Sequence, residues 1–449
     1  MANEAILTTG NIPRTFIKMT SGMMMGFFAM VVFNITDAFF VSKLGTEPLA
    51  AMSFSFPVVM LVFGVIFGIG VAASSVISKA IGEGDKHKVN RLTTDALILT
   101  FILGLLITIL GLLFSKNLFS LMGASGVTLE LVIAYMNIWF FSFVFMVLPM
   151  VANNAIRATG DAISPGIIMA IASILNVILD PIFIFGFWFV PKMGIRGAAI
   201  ATVISRMISL IASFYVINNK LKMLEFDVKH IKEIFASWRE ILYLSIPTSI
   251  TQILIPLTMG IVTKITSFYG DSAVAAIGAG SRVDGFALMV IFSLSSVLIP
   301  FVGQNLGAKN FERIFEGRKF AHAVAYVLGI GLFILFFFIA PFIARIFSSD
   351  NMVFMYLCDY LRIISLGYFA IGLVIMCSSE LVGLHKPIQS TMLQATRLFI
   401  VLLPLVLVLG KFFGVIGIFS GITIANFIGA YIAVFVVNRE FKRIVAVNQ

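Results

Sequence analysis

Twelve apolar runs fill this chain, each long enough to cross roughly 30 Å of hydrocarbon as a helix of about 20 residues. They fall near 14–41, 48–78, 92–115, 127–152, 163–187 and 194–218, then near 240–268, 272–303, 317–347, 352–382, 388–410 and 414–437. Backbone groups in lipid must be satisfied within the segment itself, so runs of this length spell helices. With 60% hydrophobic and only 12% charged residues, the chain has too little charge to cover a soluble surface. The fold class expected is an all-α polytopic membrane protein with 12 transmembrane helices. Residues 1–13 are mixed in character, and the apolar run after them is too long for the core of a secretory signal, so none is expected.

The basic residues set the orientation. An even number of spans puts both termini on one side. That side and its loops hold twenty lysines and arginines, whereas the other side holds only Lys43, Lys116, Lys192, Arg196, Lys264, Arg345 and Lys411. The positive-inside bias therefore predicts cytoplasmic termini in a multi-pass inner (plasma) membrane protein. The net charge of +10 is scattered through short loops, so no nucleic acid partner is expected. Cys358 and Cys377 form no metal pattern, and His87, His230, His322 and His385 are dispersed.

The two sets of six runs repeat. VSKLGTEPLAAM at 41–52 aligns with TSFYGDSAVAAI at 266–277, and ISKAIGEGD at 77–85 aligns with VGQNLGAKN at 302–310; both registers differ by 225 residues. Six spans per half give both halves the same orientation, a parallel repeat of two pseudo-symmetric six-helix lobes that rock against each other. The expected division is an N-terminal lobe over 1–218, a cytoplasmic linker over 219–239 and a C-terminal lobe over 240–449.

Two of the apolar runs carry a lone carboxylate, Asp37 in VVFNITDAFFV and Asp180 in SILNVILDPIFIF. An ionised acid in hydrocarbon costs several kcal/mol unless it is neutralised, paired or hydrated, which makes it a functional candidate by default. Asn176 and Asp180 are four apart, on one face of helix 5, and Ala198 and Thr202 are likewise aligned on helix 6. All lie in the outer half of the bilayer if the orientation holds. Two carboxylates, an amide, a hydroxyl and backbone carbonyls are hard oxygen donors, suited to Na+ or to sharing a proton. Two structural readings stay open at this stage: Asp37 capping helix 1 near the headgroups, and Asp180 satisfying backbone groups freed by Pro181. Asp37 aligns with Val262, so the repeat does not carry this site into the second half.

The segments TDAFFVSKLG, RATGDAISP, NVILDPIFIFG and GIRGAAIATVISR resemble those of multidrug and toxic compound extrusion (MATE) transporters, the DinF-like prokaryotic branch above all. The resemblance implies a secondary active exporter of organic cations or lipophilic drugs, antiporting H+ or Na+, with no enzyme activity and no cofactor. It implies a cation site at Asp37, Asn176, Asp180, Ala198 and Thr202, of which Asp37, Asn176, Asp180 and Thr202 would ligate Na+ if that ion is used. It places Asn153 in the guest cavity, which Asn34 and Arg206 join as candidates. A functional monomer surrounded by membrane lipid is expected. Where similar chains usually have a proline fifteen residues before the acid, this one has Gly22. The acids that NorM-like members carry in helices 7 and 10 correspond here to Ile255 and Ile371, so that site is absent.

Two other functions fit the composition. A lipid-linked oligosaccharide flippase shares the topology but needs cations at the midplane, where this chain offers chiefly Arg206 and Arg397. An intramembrane aspartyl protease needs a carboxylate dyad around one water, yet every Gly-Asp dipeptide here falls in a loop. Arg282 with Asp284, and Asp359 with Arg362, read as local ion pairs, and Glu380 as a residue near the cytoplasmic interface.

Overall fold

The computed structural model describes residues 5–188, 190–225 and 231–448. Part of the expected linker, 226–230 with Lys229 and His230, lies outside the described residues. The elements in order are α1 (Ile12–Ser42), α2 (Thr46–Glu83), α3 (Lys86–Leu121), α4 (Gly126–Phe141), α5 (Phe143–Ala158), α6 (Ile163–Phe185) and α7 (Ile195–Tyr215). There follow α8 (Ile231–Ser267), α9 (Asp271–Ala287), α10 (Met289–Gly307), α11 (Phe311–Phe347), α12 (Asn351–Leu366), α13 (Tyr368–Gly383), α14 (Pro387–Ala395) and α15 (Leu403–Asn448).

Among the described residues, fifteen α-helices make twelve crossings because some spans are broken. α4 and α5 form one span bent by 51° at Ser142, and α12 and α13 another bent by 51° at Gly367. α9 and α10 are likewise parted only at Leu288. The long apolar run Pro387–Val447 holds two crossings, since Gly414 inside α15 sits at φ 63°, ψ −142°, a conformation no helix continues through.

The repeat read from the sequence is visible in local structure. Gly45 and Gly270 both adopt positive φ (119° and 99°) immediately before α2 and α9. Asp85 caps α3 by accepting from the Lys88 amide at 2.9 Å, and Asn310, 225 residues on, caps α11 by accepting from the Arg313 amide at 3.2 Å. The two 51° breaks, at Ser142 and Gly367, keep the same offset. A serine and a glycine are both recognised causes of kinks, and the Ser142 hydroxyl donates to the Ile138 carbonyl at 2.6 Å, competing with the helix ladder.

The chain forms two compact units. One comprises Ile17–Ser249 with the chain up to Ile6, the other Leu7–Phe16 and Ile250–Gln449. They part inside α8 rather than at 239/240, and the tail segment Leu7–Phe16 counts with the second unit rather than the first. The Leu7 amide donates to Gln304 Oε1 at 3.0 Å, and Arg313 donates to the carbonyls of Leu7, Thr9 and Gly10 at 2.9, 2.6 and 2.9 Å. Phe16 completes the attachment, its ring 4.8 Å from that of Phe301.

Within the first unit, α2 packs on α5, α3 and α4, and α6 on α7. Gly22 of α1 and Gly166 of α6 meet backbone to backbone: a side chain on Gly166 would collide with the Gly22 carbonyl, and one on Gly22 would come within 2.8 Å of the Ala162 oxygen. The residue that replaces proline in helix 1 is thus one the close approach of α1 and α6 requires. α1 is continuous from Ile12 to Ser42.

Candidate functional site in the N-terminal unit

The end of α6 and the start of α7 are clamped together, which fixes what faces what. The Met193 and Gly194 amides donate to the Phe183 and Ile184 carbonyls at 3.1 Å each, and Gly197 lies so close to Phe183 that any side chain there would collide with its carbonyl. Counting back one turn along α6 and forward along α7 then brings Asn176, Asp180 and Thr202 to one place. Asn176 Nδ2 donates to Asp180 Oδ1 at 3.2 Å and to Thr202 Oγ1 at 3.4 Å. Asn176 and Asp180 are fully enclosed, and Asp37 of α1 is buried as well. The end of α1 joins the same place, since Val41, one turn beyond Asp37, shares a buried cluster with Ile184 and Ala198.

Three oxygens of this cluster have no hydrogen-bond partner among the described residues: Asp37 Oδ1, Asn176 Oδ1 and Asp180 Oδ2. Buried polar atoms are nearly always satisfied, so each orphan asks for an explanation. All three are hard acceptors, two on the hydrogen-bonded Asn176–Asp180 pair and one on the buried Asp37, which fits a proton or a small hard cation and fits no soft metal.

One turn from each polar residue lies an apolar one. Val41 follows Asp37 by four residues, Ile184 follows Asp180 by four and Ala198 precedes Thr202 by four. These three form a single buried cluster, edged by Phe40, Leu44 and Met52. Ala198 therefore belongs to an apolar plug beside the cluster, where it offers only its backbone.

The remaining candidates share no hydrogen bond with this cluster among the described residues. Asn153 is buried on α5, its Oδ1 accepting from Ser213 Oγ at 3.0 Å. Asn34 is exposed on α1. Arg206, one turn beyond Thr202, places its guanidinium 5.5 Å from the Phe33 ring centroid, four residues before Asp37.

Several sequence expectations in the second unit need correction. Arg282 does not pair with Asp284; the Asp284 carboxylate accepts from the hydroxyls of Tyr360 and Tyr368 at 2.6 and 2.5 Å. Nor does Arg362 pair with Asp359, since its Nε donates to the Phe337 carbonyl at 3.3 Å. Glu380, near the end of α13, is fully buried and meets Arg318 at 3.4 Å and His322 at 2.6 Å, with Cys377 at 3.7 Å from the same histidine nitrogen. The two helices that supply this cluster, α11 and α13, are far apart in sequence, which hid it. Arg397 is occupied by Gln394 at 3.1 Å and Asn426 at 2.9 Å.

A buried acid–amide–hydroxyl cluster inside one six-helix half of a parallel-repeat, twelve-span bundle defines a class, that of membrane transporters. The family profile MatE matches residues 23–182 and 247–408, one stretch in each half, and the chain belongs to that family. It is 35% identical to the FAD transporter of Shewanella oneidensis over 94% of this chain and 93% of that protein. It is 28% identical to the multidrug export protein MepA of Staphylococcus haemolyticus over 92% of this chain and 91% of that protein. Among solved structures it resembles the Vibrio cholerae MATE transporter VcmN in its bent form, with a TM-score of 0.92 and 28% identity, covering 96% of this chain and 98% of that one. The protein is thus a multi-pass MATE transporter and not an enzyme, and the aspartyl protease alternative falls.

Proposed function

We propose that the protein is a secondary active exporter, which moves an organic guest out of the cell in exchange for an entering H+ or Na+. The observation that carries this reading is the set of orphaned oxygens on the buried Asp37, Asn176 and Asp180, the last two joined by a hydrogen bond. Two mutually repelling carboxylates gain most from a cation when no guest charge is near, and a bound cation cancels the attraction they exert on a cationic guest. Entry of the cation from outside therefore expels the guest, and the neutralised site crosses back without a bare charge in low dielectric. Asp37, Asn176, Asp180 and Thr202 hold the cation, and the Ala198 backbone borders them. Asn153, Asn34 and Arg206 face the guest path. The membrane is the inner one, both termini are cytoplasmic, and one chain suffices.

The test is exchange of a fluorescent lipophilic cation by purified protein in liposomes, driven first by a pH gradient and then by a Na+ gradient. One of the two gradients drives uptake by the wild type, and Asp37→Asn abolishes it. Undiminished gradient-driven exchange in that variant defeats the reading.

A second guest class is favoured by one finding, the 35% identity to an FAD transporter along nearly the whole chain. Arg206, stacked on Phe33, supplies a cation and an aromatic face for a flat anionic dinucleotide. Liposomes loaded with FAD and with the lipophilic cation in parallel decide between the guests. A pyrophosphate-linked lipid is less well supported, because Arg397 is already occupied.

A further inference from the structure

The C-terminal unit holds an intramembrane acid that the site above does not use. We infer that Asp284, held by Tyr360 and Tyr368, is a second proton-exchanging site, and that it adds one proton to each transport cycle. This rests on the antiport reading, and on geometry of its own.

Asp284 lies in the last turn of α9, just before the break at Leu288, and Tyr368 opens α13 just after the break at Gly367. Tyr360 lies in α12, on the other side of that 51° bend. The carboxylate therefore sits where two interrupted spans come together, well inside both. Its two phenol donors are at 2.6 and 2.5 Å. Neither phenol is free to leave: the Tyr360 ring is 5.2 Å from that of Phe419 and presses on Gly280, and the Tyr368 ring is 5.9 Å from that of Phe336.

The enclosed acids in this unit's helices, Glu380 and Glu440, have cations; the half-buried Asp284 has none among the described residues. Glu380 of α13 has Arg318 and His322. On its own helix, Arg282 is exposed and two residues away, on another face. From α12, Asp359 adjoins Tyr360 in sequence, and Arg362 donates to Phe337 and stacks 5.6 Å from its ring. α10 carries no charged residue, and from α13 the group that faces Asp284 is Tyr368. A carboxylate inside hydrocarbon with hydrogen bonds but no counter-cation is one that a proton can neutralise. On protonation a new O–H bond forms on one carboxylate oxygen. The other oxygen still accepts from one phenol, while the new O–H donates to the second phenol, which turns its own hydroxyl away. Both charge states thus keep two hydrogen bonds, so the proton can come and go without unpacking the helices. At the repeat offset Asp284 falls on Val59, so the group is not a duplicate of the N-terminal site.

Two measurements on the full-length protein test this. In liposomes, the guest ratio that stops net flux is determined at several imposed pH differences; the slope gives protons per guest. Asp284→Asn should lower that slope by one, and an unchanged slope overturns the inference. Independently of transport, infrared difference spectra of an Asp37→Asn/Asp180→Asn protein between high and low pH should retain a carboxylic acid C=O band. That band should vanish when Asp284→Asn is added and shift when Tyr360→Phe and Tyr368→Phe remove its donors; a band indifferent to these changes overturns the inference. A protein that shows no antiport at all, yet keeps the Asp284 band, condemns the antiport reading and leaves the site standing.

Discussion

At the scale of single residues, the cluster around Asn176 is organised by an amide that donates twice and keeps its oxygen free. Thr202 accepts one of those bonds, so Thr202→Val removes the group that orients the amide without touching either acid. The coupling cation should then bind roughly tenfold more weakly, as for other supporting partners of ion ligands, seen as a raised half-saturating cation concentration in the exchange assay. Outside the membrane, Asp161 behaves differently. Burial pushes its carboxyl up, but the Ser164 hydroxyl and amide at 2.6 and 2.9 Å and the Lys220 ammonium at 3.0 Å outweigh this and hold it below the usual carboxylate range. A depressed folded value means the contribution to stability is full above the ordinary carboxylate value of about 4 and fades as pH falls through the lower one. Asp161→Asn should therefore lower the thermal midpoint in detergent at pH 7, with the gap to wild type closing as the pH falls below about 4.

At the scale of elements, two glycines set how closely helices approach and where one stops. Gly166→Ala forces a methyl against the Gly22 backbone, a clash that neither chain can relieve by turning a side chain. The expected loss is about 1–3 kcal/mol, measured by thermal unfolding of the purified protein. Gly414→Ala puts an L-residue at φ 63° inside α15, at a cost of about 1–2 kcal/mol, read in the same way. The elements also mark what could be read in advance. Twelve spans, their repeat, and the pairing of Asn176 with Asp180 are written in periodicity and spacing, because helices in lipid follow length and polarity closely. The approach of Thr202 to Asn176 depends on the α6–α7 clamp, and the Asp284 and Glu380 clusters each join residues from separate helices. No local pattern encodes such contacts. Neighbouring opposite charges misled for the same reason: Asp284 and Arg282 are two apart, which on a helix sends them to different faces.

At the scale of the whole molecule, the units are not contiguous in sequence. Residues Leu7–Phe16 are held by Gln304, Asn305 and Arg313. Arg313→Ala strips the Thr9 and Gly10 carbonyls of their donor and leaves the Leu7 carbonyl only Asn305, so the tail should become susceptible to protease in the purified protein while the N-terminal cation cluster is undisturbed. Cleavage within residues 5–10, followed by mass spectrometry, is the readout; a tail as resistant as wild type would refute the assignment.

That attachment bears on biosynthesis. The ribosome releases Leu7 long before Gln304 and Arg313 exist, so the opening stretch of polypeptide must wait, undocked, while nearly three hundred further residues are made and threaded into the bilayer. A bulky fusion placed ahead of it would burden the last stage of assembly rather than the first, and its harm would fall on the half of the protein translated second.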